Sequence, residues 1–238
     1  MTTLRDFDYT VQGISCKGRL ALPPGAGPHP GVLVMHSANG LGDHVYKRAL
    51  LLAEAGYAAL ATDMYGGGRH FDDPMESGKL FMALVNEPKL MRDRIVGTFE
   101  TFRAVPQVDA RRVGAIGFCF GGQCVLELAR SGADAKAVIS FHGLLTTAFP
   151  ARPNDIKAKM LVIAGARDPF APKKDIAAFE DEMTAAGADW QMTVYGEGFH
   201  SFTDPSTDKM GHPGIRYNAV LDKLSWAQSM TYLDAMLK

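Results

Sequence analysis

Three residues set the chemistry open to this chain. Cys119 lies in Gly117-Phe-Cys-Phe-Gly121, a G-x-C-x-G run between an apolar stretch and a helix-forming one. That is the spacing of a nucleophile elbow, in which a sharp strand-to-helix turn presents one side chain at the edge of a sheet. Gly117 and Gly121 supply the close backbone approach such a turn demands. The sulfur is then expected at a helix N-terminus, where the dipole and free N–H groups favour a thiolate. Two blander readings compete. A free cysteine is among the most buried residue types, and a glycine-rich turn can instead cradle phosphates. The second is weakened because the run lacks both G-x-G-x-x-G and a following Lys-Ser/Thr. Cys16 and Cys124, one in an N-terminal strand and one inside the helix, read as core.

A thiol nucleophile needs a base, and the base needs an orienting acid. On α/β-hydrolase sheets these follow the nucleophile in the order acid, then histidine, in loops after later strands. VIAGARDPF puts Asp168 just beyond an apolar run, and VYGEGFHSF puts His200 in a loop beyond the next strand. The chain has seven histidines. His29 falls in a proline loop, and His44, His70 and His212 follow no strand. His36 and His142 do follow strands and can line the same cleft, with His142 the main rival to His200. Asp63 also ends a strand, but it precedes the nucleophile and reads as a turn or cap residue. Acyl transfer further requires donors for a developing oxyanion. The elbow offers the Phe120 amide, and the loop His36-Ser-Ala-Asn-Gly-Leu41 offers that of Ala38.

These residues work only if the chain delivers them to one sheet edge. Residues 7–12 and 14–22 alternate as an antiparallel pair. Continuous apolar runs at 31–36, 57–66, 111–118, 135–143 and 159–168 have the pattern of strands buried on both faces. A last strand is expected at 190–196. Helical spacing occupies 44–56, 74–86, 88–104, 120–132, 173–187 and 213–236, the last begun after Pro213. Strands alternating with helices predict a single α/β domain over 1–238, built on a doubly wound, mainly parallel sheet.

Composition narrows the classes. With 47% hydrophobic and 21% charged residues among 238, the chain is that of an ordinary folded protein. A net charge of −1, without like-charge runs, gives no footprint for nucleic acid or an anionic membrane. The start, MTTLRDFDYTVQG, has no signal-peptide core, and no window is apolar enough for a membrane span. Three cysteines suit neither a disulfide framework nor a zinc site, so a reducing, cytoplasmic setting is expected. A monomer or a homodimer fits equally.

Taken together, Gly117-Phe-Cys-Phe-Gly-Gly122, Gly165-Ala-Arg-Asp168, Gly198-Phe-His-Ser-Phe202 and Asp63-Met-Tyr65 resemble the dienelactone hydrolase family over nearly the whole chain. The resemblance implies an α/β-hydrolase fold without a large cap domain and a Cys119-His200-Asp168 triad, with Phe120 and Ala38 as oxyanion donors and no metal or cofactor. It implies a small-molecule ester or lactone substrate. The departures shape that expectation. The family glutamate that protects the resting thiol is replaced by Ser37. Two substrate-clamping arginines are missing: Phe202-Thr-Asp204 follows His200, and no arginine lies between Arg69 and Arg92, where Lys79 is the only cation before Lys89. A pocket built from Ser37, His36, Phe118, His142 and Phe199, with Met35, Phe120 and Phe141 as further apolar candidates, should prefer neutral small or aryl esters. A carboxylate left there without a bidentate partner is costly. Activated neutral phosphotriesters are expected as a side activity. Two readings stay open beside this one: a thiol redox protein using Cys119, and a binding module of the same fold without chemistry.

Overall fold

The computed structural model describes residues 2–238. Eight strands form one sheet in the order β1-β2-β4-β3-β5-β6-β7-β8. They are β1 (Leu4–Val11), β2 (Ile14–Ala21), β3 (His29–Met35), β4 (Ala58–Ala61), β5 (Val108–Phe118), β6 (Ala137–Phe141), β7 (Lys159–Gly165) and β8 (Trp190–Tyr195). The β1-β2 hairpin joins antiparallel to β4, and every later pairing is parallel. Six helices accompany them: α1 (Asp43–Glu54), α2 (Pro74–Val85), α3 (Pro88–Arg103), α4 (Phe120–Arg130), α5 (Lys173–Ala185) and α6 (Ala219–Leu237). This is the α/β-hydrolase arrangement, with no large cap. Among the described residues no helix is long and apolar enough to cross a membrane.

The apolar runs are continuous because the two faces of each strand feed two different cores. Val32 and Val34 of β3 point with Leu161 and Ile163 of β7 toward α1 and α6. Their neighbours Leu33 and Met35, with Met160 and Val162, point toward α3, α4 and α5. Alternation along a strand is therefore present but invisible as polarity, since both faces are covered.

Two expected elements differ in extent. The run 57–66 is strand only over Ala58–Ala61. Beyond it the Asp63 carboxylate accepts from the backbone N–H groups of Lys17, Tyr65, Gly66 and Gly68 at 2.7–3.0 Å, turning the chain away from the sheet. This is the turn role read for it. The last helix begins at Ala219, not after Pro213. Asn218 caps it, its side-chain oxygen accepting from Val220 and Leu221 N–H. Residues 214–216 instead pair with the His200 loop, His200 N donating to Gly214 O and Arg216 N to His200 O. A 3-10 turn at Pro205–Met210 was not expected, and His29, expected in a loop, is the first residue of β3.

Candidate active site

β5 ends at Phe118 and α4 starts at Phe120, which leaves Cys119 alone to make the turn. Its φ of 55° and ψ of −114° lie where side-chain-bearing residues are seldom found. The turn is held by the glycines around it. A Cβ on Gly117 would collide with the Gly121 carbonyl, and one on Gly121 with the carbonyls of Met35 and His36. Backbone thus packs on backbone, and only glycine permits it.

Three loops from the carboxyl edge of the sheet meet at the sulfur. His200, in the loop after β8, places Nε2 3.0 Å from Cys119 Sγ. Its Nδ1 lies 2.8 Å from Oδ2 of Asp168, in the loop after β7. The other Asp168 oxygen accepts from Phe170 N at 2.8 Å, so both carboxylate oxygens are engaged. Asp168 and His200 are buried, whereas Cys119 is half-buried. Burial opposes charge on both members of the Cys-His pair, yet their attraction outweighs it. Burial raises the Cys119 thiol, but the charge and hydrogen bond of His200 and the amides of Ala38 and Phe120 bring it below the ordinary thiol range. Burial likewise lowers His200, while Cys119 and Asp168 push it up, to about 10. A thiolate beside an imidazolium is the favoured resting pair. Such a pair can add sulfur to an electrophilic centre and hand a proton to a departing oxygen.

The loop after β3 brings up the second amide. His36 is fully buried, donating from Nδ1 to Ser37 O at 2.6 Å and accepting Met64 N–H on Nε2 at 3.1 Å. Burial pushes its pKa down, which keeps that acceptor free of a proton. Tyr65 donates its hydroxyl to Ala38 O at 2.9 Å. The turn organised by Asp63 thus holds the Ala38 peptide against Cys119.

The sulfur opens into a cavity of about 220 Å³, lined by Ser37, Ala38, Phe81, Leu144, Phe170 and Ile215 among others, with His200 the only ionisable group besides the thiol. Of the pocket residues expected from the sequence, Ser37 lines this cavity. His36, Phe118, His142 and Phe199 do not line this cavity. Phe118 stacks on Phe141 inside the α1–α6 core, because its β5 position faces away from the cleft. Met35, Phe120 and Phe141 are likewise fully packed. Phe199 lies outside, its ring under the guanidinium of Arg216 at 4.4 Å. His142 sits behind the elbow, hydrogen-bonded to the Cys119 amide and Thr203. The lining residues that sequence reasoning missed come from α2 (Phe81), from two residues past His142 and Asp168 (Leu144, Phe170), from the 3-10 turn (Thr207, Met210), from the segment read as helix (Ile215), and from beside Ala38 and His200 (Asn39, Ser201). The redox alternative finds no second thiol at hand: Cys124 is fully buried, and burial with the nearby Glu127 and Cys119 charges pushes its pKa well up.

Known proteins resemble this chain along nearly its whole length. The profile of the dienelactone hydrolase family matches residues 16–237. A dienelactone hydrolase-like promiscuous phosphotriesterase from metagenomic libraries is 36% identical, covering 100% of this chain and 99% of that one with a TM-score of 0.93. A Bradyrhizobium protein named as a probable 2-oxo-3-(5-oxofuran-2-ylidene)propanoate lactonase is 26% identical over 236 residues, 95% of this chain and 92% of its own. The dienelactone hydrolase of Anabaena variabilis shares the fold, with a TM-score of 0.73 at 21% identity, covering 100% and 99% of the two chains. The chain belongs to the dienelactone hydrolase family, hydrolases that act on ester and lactone bonds.

Proposed function

We propose that the protein hydrolyses neutral small or aryl esters and lactones through a thioester on Cys119. The observation that carries this reading is the 3.0 Å and 2.8 Å relay from Sγ through His200 to Asp168, opening into an apolar cavity that no arginine or lysine lines. The Cys119 thiolate attacks the carbonyl carbon, and the carbonyl π pair moves onto oxygen, where the Phe120 and Ala38 amides receive it. The intermediate collapses as His200 Nε2–H protonates the departing alkoxide, leaving an acyl-thioester. Water then adds to the thioester carbon while Nε2 takes its proton. Expulsion of the thiolate releases the acid and restores the ion pair. Asp168 keeps the Nδ1 proton throughout and stabilises the imidazolium.

A carboxylate-bearing lactone would enter this cavity unpaired, so kcat/KM for an anionic substrate should fall about 100-fold or more below that of its neutral counterpart. A second reading, turnover of activated neutral phosphotriesters, is favoured by the relative described as a promiscuous phosphotriesterase. There the same thiolate would attack phosphorus and expel an acidic phenol, and a water whose proton His200 takes would then cleave the S–P bond, releasing the phosphodiester and restoring the thiolate. The primary test is rapid-quench reaction with p-nitrophenyl butyrate and peptide mass spectrometry. A butyryl group on the Cys119 peptide, and no turnover in Cys119→Ala, is the expected result. Undiminished turnover in Cys119→Ala with an unlabelled peptide would overturn it.

A further inference from the structure

We propose that His142 is a positioning residue that ties the Cys119 elbow to the loop carrying His200 and so sets the sulfur-to-imidazole approach. The inference rests on the reading of Cys119 and His200 given above. It begins with backbone strain. Five non-glycine residues have positive φ among those described, and three of them, Cys119, His142 and Ser201, belong to this one site. Strain of this kind persists only where surrounding structure imposes it. At His142, with φ of 39°, the imposing contact is the next residue: a Cβ on Gly143 would collide with Ser140 Oγ and with the backbone of Gly122 in the first turn of α4.

The left-handed turn aims the imidazole back under the elbow. Cys119 N lies 3.1 Å from His142 Nδ1, and a backbone N–H can only donate, so Nδ1 carries no proton. The ring proton therefore sits on Nε2, 2.9 Å from Thr203 Oγ1. Thr203 lies three residues beyond His200 and is itself buried, and His44 Nε2 adds a bond to its carbonyl at 3.0 Å. One neutral imidazole thus joins the nucleophile's own amide to the base's loop.

Satisfying the Cys119 amide does not require this bond. That N–H already donates to Phe141 O at 3.0 Å, the continuation of the β5–β6 ladder. What His142 adds is a lateral tie between two loops that no ladder joins. Its ring also stands 5.5 Å from that of His200, edge to face, and 5.1 Å from that of Phe202. An acyl transfer loses rate steeply when reacting groups drift by a fraction of an ångström. Loosening the tie is therefore expected to lower kcat and leave KM unchanged, since His142 does not line the substrate cavity.

The test uses the full-length protein and p-nitrophenyl butyrate, with kcat and KM measured separately. His142→Ala should lower kcat roughly tenfold with KM within about twofold of wild type. His142→Asn can still accept the Cys119 N–H through Oδ1 and tolerates the left-handed backbone, but it has no atom that reaches Thr203, so it should lose as much as His142→Ala; Thr203→Ser keeps the hydroxyl and should stay within about twofold of wild type. Thr203→Val removes the other end of the tie and should cost a similar factor. The double variant should be no slower than either single one. Should His142→Ala fail to fold, Thr203→Val and His142→Asn carry the test. Wild-type kcat in His142→Ala, in His142→Asn or in Thr203→Val, equal loss in Thr203→Val and Thr203→Ser, or fully additive losses would each overturn the proposal. Turnover surviving in Cys119→Ala would instead overturn the reading beneath it, so the two failures are separable.

Discussion

Replacing Asp168 by asparagine tests the electrostatics of the site most directly. The carboxylate lies 2.8 Å from His200 Nδ1, and neither side chain is more than 5% exposed, so solvent screens the pair little. For charge centres about 4 Å apart at an effective dielectric near 20, the attraction is about 4 kcal/mol, roughly a thousandfold in the ionisation equilibrium. A second effect adds to the first. Asp168 Oδ1 accepts from Phe170 N at 2.8 Å, so an asparagine would keep its oxygen there and turn its NH2 toward His200. That forces Nδ1 to accept and moves the ring proton to Nε2, the wrong tautomer for taking a proton from sulfur or water. In the wild type the thiolate forms below the ordinary thiol range and the imidazolium survives up to about 10. Reactivity toward iodoacetamide should therefore begin at a pH below that of a free thiol. In Asp168→Asn the imidazolium loses its counter-charge, His200 falls and Cys119 rises. The onset of alkylation should move to higher pH, and kcat should fall about a thousandfold or more. An alkylation profile superimposable on wild type, with kcat within tenfold, would refute the reasoning.

Gly121→Ala should destabilise the protein by about 2–4 kcal/mol and abolish turnover, because the new methyl meets the Met35 and His36 carbonyls rather than a movable side chain; urea unfolding and ester assay read both. Arg130 is buried, with guanidinium bonds to Glu127 and Glu182 at 2.7–3.0 Å, so Arg130→Ala should cost about 3–5 kcal/mol by leaving Glu182 without its cation and the buried Glu127 with Arg92 alone, while the cavity around Cys119 is untouched. Wild-type unfolding of that variant would contradict it. Phe81→Arg places a guanidinium in the cavity wall and should raise kcat/KM for a carboxylate-bearing lactone about tenfold or more relative to the neutral ester; an unchanged ratio would count against the lack of an arginine or lysine in the pocket as the basis of selectivity.

The order of elements, the parallel sheet and the positions of Cys119, Asp168 and His200 in loops at strand ends follow from local signals. Apolar runs bounded by breakers mark buried strands, and a glycine on either side of Cys119 marks a turn that no larger residue survives. Asp63 is legible as a turn residue for the same reason, since a short carboxylate after a strand can gather nearby N–H groups. Where the last helix starts is decided differently. Pro213 is a fair local start signal, but residues 214–216 bond to His200 instead, and Asn218 is the cap.

The walls of the pocket belong to tertiary structure alone. Phe118 and Phe81 are both phenylalanines within helical or strand periodicity, and nothing local distinguishes them. One stacks in a core because its face of β5 meets α1 and α6, and the other reaches the sulfur because α2 lies across the sheet edge. His142 and His200 each follow a strand, and only the fold decides that His200 touches the thiol while His142 touches its amide. The sequence by itself determined which residue types could react and which loops carry them, because turns and strand ends depend on neighbours along the chain. Distance, burial and charge at Cys119 depend on four loops converging from separate strands, and those quantities exist only once the sheet has closed around them.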